Sequence, residues 1–296
     1  QIWMSLVLLP ICGLCVCACK MVADHGMSFL PCCFKSSWIY VLSFIVIAYS
    51  LSSTFRFYIK SACLWFYYLF VGFVFVLAIS IWTPASKNNP HKICKRIKWI
   101  DGIWGIQYNV KGLENYKKDS NYIIVANHQS SFDMNVVVNF MPPKTTVMVK
   151  KDVIYIPCIG FLFWIAGLLF INRGNREKAI NTMKEVAEQL KKEKFNLWIF
   201  PEGTRHMGSK LLPFKKGAFH LAQQAQIPIL PVVISNYENI INFNKNQFKK
   251  GTIDITILPG VSTEGLETSD VEHLTQNVHS MMCKEYGRNT PGEAVE

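Results

Sequence analysis

The chain contains a histidine and an aspartate whose spacing suits proton transfer. His128 and Asp133 lie five positions apart in the segment NHQSSFD at 127–133. A neutral imidazole accepts a proton from an alcohol near pH 7, and a neighbouring carboxylate fixes its tautomer and stabilises the imidazolium that forms. Residues five apart on one continuous helix would point about 140° apart, so His128 must lie on a turn. The pair predicts a general base oriented by a carboxylate, although a polar loop histidine has the same sequence pattern.

A second segment, FPEGTR at 200–205, offers ligands for a phosphate group. Arg205 carries a planar fork of donors that fits phosphate oxygens, and Gly203 permits a tight loop. Glu202 is expected to hold Arg205 or to accept a hydrogen bond from a substrate hydroxyl. A structural Glu–Arg pair on a surface loop is the alternative that these residues leave open. Arg173 is a further candidate phosphate ligand.

Two adjacent serines, Ser130 and Ser131, raise the alternative of a serine nucleophile. The chain has no G-x-S-x-G segment, which builds the exposed nucleophile turn of α/β-hydrolases. Either serine is better placed to cap the helix that carries Asp133. A covalent acyl-serine intermediate is therefore the lesser hypothesis.

Both motifs follow short apolar runs, 122–126 and 195–200, that are typical of buried strands. Open α/β sheets bind ligands at the carboxyl ends of their strands, which is where these motifs would lie. An amphipathic stretch at 177–193 predicts a helix, and strands and helices alternate through the rest of the segment. The alternation predicts one α/β domain over 101–288, followed by a flexible tail at 289–296.

The apolar excess of the chain lies in residues 1–86, which predict an N-terminal membrane region. Uncharged stretches at 36–55 and 61–86 each reach the ~20 residues that a membrane-spanning helix needs. They predict two helices in a membrane hairpin, with buried core helices as the alternative. The uncharged residues 1–19 form a candidate further apolar segment.

The chain is basic, with 31 lysines and arginines against 20 acidic residues and a net charge of +11. Five of the basic residues lie in the connector 87–100, beside the predicted membrane helices. Such a cluster predicts the cytosolic side of a membrane and contact with anionic lipid. Nucleic acid is not an expected partner, because no nucleic-acid-binding motif accompanies the charge.

Four segments together resemble the glycerolipid acyltransferase family, and closely its 1-acyl-sn-glycerol-3-phosphate (lysophosphatidic acid) acyltransferases. The segments are NHQSSFD at 127–133, GLLFINR at 167–173, FPEGTR at 200–205 and IPILPVVIS at 227–235. They occur in the family's order and at similar separations, and the similarity covers most of 95–285. Phe132 departs from the pattern, since leucine is more usual there.

The resemblance implies a mixed, largely parallel sheet flanked by helices, and acyl transfer from acyl-CoA to the 2-hydroxyl of lysophosphatidate. The product would be phosphatidate, in phospholipid biosynthesis. By this resemblance His128 deprotonates the hydroxyl, which attacks the thioester directly, and Asp133 orients His128. The residues implied to bind the acceptor's phosphate and glycerol are Arg173, Glu202, Gly203, Thr204 and Arg205.

Acyl-CoA is the expected co-substrate, and no cofactor or metal is expected, since the chain has no P-loop, dinucleotide fingerprint or zinc motif. The expected location is integral to the endoplasmic reticulum membrane, with the catalytic domain facing the cytosol. One alternative keeps the reaction on glycerol 3-phosphate or another lysophospholipid. The other is a non-catalytic membrane lipid-binding protein, which the presence of both His128 and Asp133 disfavours. The sequence predicts no oligomeric state.

Overall fold

The computed structural model separates into two compact units, Gln1–Arg56 and Phe57–Glu296. The described residues are 30–98, 100–156, 159–172 and 176–288. The candidate apolar segment 1–19 and the predicted tail 289–296 lie outside them.

Two apolar helices occur near the N-terminus, and their bounds differ from the prediction. Helix α1 runs over Leu30–Leu51 and helix α2 over Ser53–Ser80, where 36–55 and 61–86 were expected. The expected break at the charged residues 56–60 is wrong, because Arg56 and Lys60 both lie inside α2.

The break between α1 and α2 lies at Ser52. The Ser52 hydroxyl accepts a hydrogen bond from the N–H of Phe55 at the start of α2. The charged side chain of Arg56 is accommodated within the helix, because its guanidinium donates hydrogen bonds to the carbonyls of Tyr49 and Ser50 at 3.0 and 2.7 Å. Those carbonyls lie in the last turn of α1, where backbone acceptors lack helical partners.

Among the described residues, α2 is long and apolar enough to cross a membrane. It buries Leu64 and Val76 against the rest of its unit but exposes large apolar side chains, including Phe66 and Phe70. A contiguous exposed apolar surface of this kind marks contact with a membrane or a partner.

The second unit is built on a seven-stranded sheet in the order β1-β9-β6-β2-β5-β3-β4. Its strands are β1 (Ile106–Lys111), β2 (Ile123–Ala126), β3 (Thr145–Lys150), β4 (Leu169–Ile171), β5 (Asn196–Ile199), β6 (Ile229–Ile234) and β9 (Gly251–Ile257). All neighbours pair in parallel except β6 and β9. A short ribbon joins β7 (Ile241–Asn242) to β8 (Gln247–Phe248). The prediction of a mixed, largely parallel sheet is confirmed.

Helices cover both faces of the sheet. They are α3 (Asn89–Ile97), α4 (Ile100–Ile103), α5 (Asp133–Asn139), α6 (Ile159–Ile165), α7 (Arg176–Glu193), α8 (Gly217–Ala225) and α9 (Val271–Arg288). Residues of α2, α3, α5 and α6 share one buried apolar cluster, and residues of α7, α8 and α9 share another. Strands β2 and β5 are buried along their whole length, which is why they appear as continuous apolar runs in the sequence.

This topology gathers three chain segments at one edge of the sheet. Strand β2 lies between β5 and β6 and is parallel to both, so the carboxyl ends of all three strands meet there. His128 follows β2, Glu202 follows β5 and Tyr237 follows β6.

Candidate active site

His128 and Asp133 form a hydrogen-bonded pair at this edge. One residue, Asn127, separates His128 from the end of β2, and Asp133 is the first residue of α5. His128 Nδ1 lies 2.7 Å from Asp133 Oδ2. A carboxylate can only accept, so Nδ1 carries a proton, and in the neutral imidazole Nε2 then keeps its lone pair. That tautomer is the one required of a general base.

Asp133 is completely buried and receives four hydrogen bonds. Oδ2 accepts from His128 Nδ1 and from the backbone N–H groups of Gln129 and Ser130, at 2.6 and 3.0 Å for the amides. Oδ1 accepts from the hydroxyl of Tyr237 at 2.5 Å. A buried charge is tolerated when it is hydrogen-bonded in this way, so the cluster suits an ionised carboxylate.

Tyr237 is itself fully buried behind the pair. Burial, followed by the nearby Asp133 carboxylate, holds the pKa of Tyr237 well above its ordinary value. The phenol therefore keeps its proton and acts as a donor. The role of Tyr237 could not be predicted from the sequence, because nothing in its local pattern distinguishes it from a core tyrosine.

The Ser130 hydroxyl is directed into the cluster. Ser130 Oγ lies 2.9 Å from Tyr237 Oη and accepts a hydrogen bond from Phe132 N–H at 3.0 Å. The bond to Phe132 stabilises the turn before α5 and does not cap the helix itself. Ser130 thus belongs to the support of Asp133.

The ring of His128 also packs on an aromatic side chain. Its centroid lies 4.1 Å from that of Phe200, and the two ring planes are 19° apart. Phe200 follows β5 directly, so the strand fixes its position. Stacking on Phe200 orients the plane of the imidazole, and the hydrogen bond to Asp133 fixes the rotation of the ring within that plane. Phe200 belongs to the FPEGTR segment, but residue type alone gave no signal for this role.

Glu202 binds two backbone amides. Its Oε1 accepts from His128 N–H at 2.7 Å and its Oε2 accepts from Leu212 N–H at 3.0 Å. The side chain is 3 % exposed, and this burial raises the pKa of Glu202 while the two amides oppose the rise. Glu202 therefore ties the turn after β2 to the loop after β5, and the expected pair with Arg205 is replaced by these contacts.

Replacing Glu202 with glutamine is expected to destabilise the protein by about 1–3 kcal/mol, because the amide group must face one of the two buried N–H donors. The midpoint of thermal unfolding in one detergent measures the loss. Glu264→Gln, on an exposed loop, is the matched control. Equal midpoints for the two variants would remove the role assigned to Glu202.

Gly203 has a positive φ of 70°, and a Cβ built there would lie 2.6 Å from Lys215 Nζ. The positive φ therefore favours glycine at this position of the FPEGTR turn. The turn carries Thr204 and Arg205 into solvent, where both are exposed.

Arg205 lines an open polar recess of about 450 Å³ beside Ser130 and Ser131. No carboxylate in the described part of the chain pairs with its guanidinium. The neighbouring His206 donates its N–H to the carbonyl of His128 at 2.8 Å, which links the two motifs. Arg205 thus presents its donors to solvent next to the His128 turn.

Arg173 lies outside the described residues, so its phosphate contact stays a prediction. Within the described residues, no group of three or more His, Cys, Asp or Glu side chains is placed to bind a metal ion.

A largely apolar cavity of about 230 Å³ lies beneath the site, between α2, α3, α5 and α6. A narrow cleft lined by Ser131, Phe132 and Phe243 lies between it and the polar recess. The cleft shares Ser131 and Phe243 with the recess, and it shares Trp65, Tyr68 and Asn135 with the cavity. An apolar pocket therefore adjoins the polar site.

Comparison with known proteins places this architecture in a family. A model of the acyltransferase family matches residues 107–235. The chain is 35% identical to mouse 1-acyl-sn-glycerol-3-phosphate acyltransferase alpha over 235 residues, 78% of this chain and 81% of the relative. It is 36% identical to the Saccharomyces cerevisiae 1-acyl-sn-glycerol-3-phosphate acyltransferase over 244 residues, 79% of this chain and 78% of the relative.

The fold is also that of a solved enzyme. The crystal structure of the lysophosphatidic acid acyltransferase PlsC from Thermotoga maritima matches with a TM-score of 0.60 and 26% identity, covering 82% of this chain and 97% of that chain. The chain belongs to the 1-acyl-sn-glycerol-3-phosphate acyltransferase family and is an acyltransferase enzyme.

Proposed function

We propose that the chain transfers a fatty acyl group from acyl-CoA to the 2-hydroxyl of lysophosphatidate. The observation that carries this proposal is the His128–Asp133 pair beside the guanidinium of Arg205, which lines the recess and pairs with no carboxylate of the described residues. The first supplies a base for a hydroxyl, and the second supplies donors for a phosphate. The activity for which the mouse and yeast relatives are named supports the same reaction.

The proposed reaction is a direct transfer. His128 Nε2 takes the proton of the 2-hydroxyl as its oxygen attacks the thioester carbonyl, and Asp133 stabilises the imidazolium. The tetrahedral intermediate then collapses, the C–S bond breaks, and the sulfur leaves as the CoA thiol with the proton from His128. Ser130 takes no covalent part, since its hydroxyl is bound to Tyr237.

A side-by-side comparison of acceptors tests which acceptor the chain prefers. Purified chain is given one acyl-CoA and, side by side, lysophosphatidate, glycerol 3-phosphate, lysophosphatidylcholine and monoacylglycerol. We expect the highest kcat/KM with lysophosphatidate. A preference for glycerol 3-phosphate or for lysophosphatidylcholine would show that the chain carries out the same acyl transfer on a different acceptor.

We assign the acceptor's phosphate to Arg205, with Gly203, Thr204 and Arg173 completing its binding. Arg205→Ala is expected to raise the KM for lysophosphatidate about 10- to 100-fold, which is the effect of losing charge-assisted hydrogen bonds. The KM for acyl-CoA should not change. Steady-state kinetics with each substrate varied in turn measures both, and Lys118→Ala, at an exposed position before β2, is the control. Equal increases in the two KM values would contradict the assignment.

The apolar cavity is the proposed site for a fatty acyl chain, because it adjoins the recess through the narrow cleft. Gly72 lines this cavity, and a Cβ built there meets no atom within 4 Å. A larger side chain at this position therefore fills the cavity without displacing backbone.

Gly72→Leu is expected to lower kcat/KM for long acyl-CoA about tenfold relative to short acyl-CoA. A series of acyl-CoA lengths measures the change in preference. Gly287→Leu, in α9 and equally free of close contacts, is the control. An unchanged length profile in Gly72→Leu would place the acyl chain elsewhere.

We also propose that α2 lies in a bilayer of the endoplasmic reticulum, with the basic connector 87–100 on the cytosolic side against anionic lipid. The exposed apolar surface of α2 and the lysines and arginines of the connector support this placement. Flotation with anionic vesicles tests it. A chain that stays with the soluble fraction would contradict membrane attachment.

A further inference from the structure

Tyr237 contacts the proposed catalytic pair from the loop after β6, whereas His128 and Asp133 follow β2. It lies three residues after β6, fully buried, and its hydroxyl donates to Asp133 Oδ1 at 2.5 Å. His128 binds the other carboxylate oxygen. Each carboxylate oxygen of Asp133 therefore accepts from a different side chain, Oδ2 from His128 and Oδ1 from Tyr237.

The directions of these hydrogen bonds follow from the donors available. Tyr237 has one proton, and an ionised carboxylate has none, so that proton points to Asp133. Ser130 Oγ, 2.9 Å from Tyr237 Oη, must then donate to the phenol oxygen. Ser130 Oγ itself accepts from Phe132 N–H. A chain of donors from Phe132 through Ser130 and Tyr237 thus ends on Asp133.

We propose that Tyr237 is a positioning residue for acyl transfer: its hydroxyl fixes the rotation of the Asp133 carboxylate, so that Oδ2 stays aligned with His128 Nδ1, and it takes up part of the carboxylate's charge. This inference rests on the proposed function of His128 as the base. Tyr237 touches neither the substrate nor the base, so its effect reaches the reaction through Asp133.

The loss of the Tyr237 hydroxyl has two consequences with a definite sign. First, Oδ1 loses the donor that holds it, so the carboxylate can rotate away from His128 and kcat falls. Second, Asp133 keeps more of its negative charge to stabilise the imidazolium that forms when the base takes the proton, so the acid limb of the pH–rate profile moves to higher pH.

Other titratable groups face the same cluster and stay in place during the test. Glu202 reaches it from the end of β5, His206 from the following loop and Tyr286 from α9. All three are present in every variant compared, so a difference between variants reports on the altered hydroxyl.

The decisive variant is Tyr237→Phe in the entire 296-residue chain, which removes one oxygen and keeps the ring. Tyr122→Phe is the matched control, because Tyr122 is also buried but precedes β2 at the opposite end of that strand. For each protein, kcat and kcat/KM are measured across pH with acyl-CoA and lysophosphatidate, beside the unfolding midpoint.

Tyr237→Phe is expected to lower kcat about tenfold or more, as for a lost hydrogen bond to a charged group, with both KM values within about twofold of wild type. Its acid limb should move up by about 0.5–1 pH unit. Tyr122→Phe should keep the wild-type limb. A folded Tyr237→Phe protein with wild-type kcat and an unmoved limb would overturn the proposal.

Ser130→Ala provides a second, independent test. It removes the donor to Tyr237 but keeps the backbone N–H that binds Asp133, so a smaller upward shift of the same limb is expected. If Tyr237→Phe fails to fold, this variant decides: an unmoved limb in Ser130→Ala rejects the proposal.

The test separates this inference from the function on which it rests. Acyl transfer by the wild-type chain and its loss in His128→Ala address the proposed function alone. If both hold and Tyr237→Phe behaves as wild type, only the role of Tyr237 fails. If wild type transfers no acyl group, the proposed function fails first.

Discussion

Replacing His128 with alanine is expected to lower kcat by about 10²–10⁴-fold, the contribution of a positioned general base. The variant removes the nitrogen that would accept the hydroxyl proton. The fold should persist, because Asp133 keeps three of its four donors and the lost side chain is partly exposed. The rate of phosphatidate formation at saturating substrate measures the effect.

The control for this variant is His273→Ala, at an exposed position in α9. It removes an imidazole of the same size far from the strand ends, and its kcat should equal that of wild type. Substantial transfer by a folded His128→Ala protein would show that another group accepts the proton.

Asp133→Asn is expected to lower kcat by about 10³–10⁴-fold, as when a neutral amide replaces the carboxylate beside a catalytic histidine. The amide no longer stabilises the imidazolium, and its NH₂ group must oppose either His128 or Tyr237. With the negative charge gone, the imidazolium is less stable, so the acid limb of the residual activity moves to lower pH. This direction is opposite to that expected for Tyr237→Phe.

Asp254→Asn is the matched control for the aspartate. Asp254 lies in β9 and pairs with Lys111 at 3.0 Å, so the control also removes a carboxylate from an ion pair. Its kcat and its pH profile should match wild type. A folded Asp133→Asn protein with wild-type kcat would show that the carboxylate does not assist His128.

The strands that carry the two motifs could be predicted from the sequence because they are buried on both faces. Such strands appear as unbroken apolar runs. The predicted run 122–126 corresponds to β2 at Ile123–Ala126, and 195–200 corresponds to β5 at Asn196–Ile199. The amphipathic helix predicted at 177–193 is α7, Arg176–Glu193.

The residues that hold His128 and Asp133 in place could not be predicted in the same way, because their contacts depend on which strands are neighbours in the sheet. Tyr237 reaches Asp133 across 104 positions of sequence, only because β6 pairs with β2. Local spacing carries no information about that pairing. The carboxylate of Glu202 likewise suits a substrate, an arginine or two amides, and only the fold shows that it binds the amides of His128 and Leu212.

The helix boundaries near the N-terminus could not be predicted for a different reason. Charges at Arg56 and Lys60 suggested a break, since charged groups in an apolar helix are costly. The long side chains avoid this cost: Arg56 reaches free carbonyls at the end of α1, and Lys60 reaches the carbonyl of Phe248. The helix can therefore continue through both residues.

Release of the CoA thiol before and after addition of the acceptor tests direct transfer by the His128–Asp133 pair. The purified chain is mixed rapidly with acyl-CoA, and lysophosphatidate is added in a second mixing step while thiol and phosphatidate are quantified. We expect negligible thiol before the acceptor arrives, and then equimolar appearance of thiol and phosphatidate, lost in His128→Ala. A burst of thiol stoichiometric with the protein before the acceptor is added would demonstrate an acyl-enzyme and contradict direct attack by the hydroxyl.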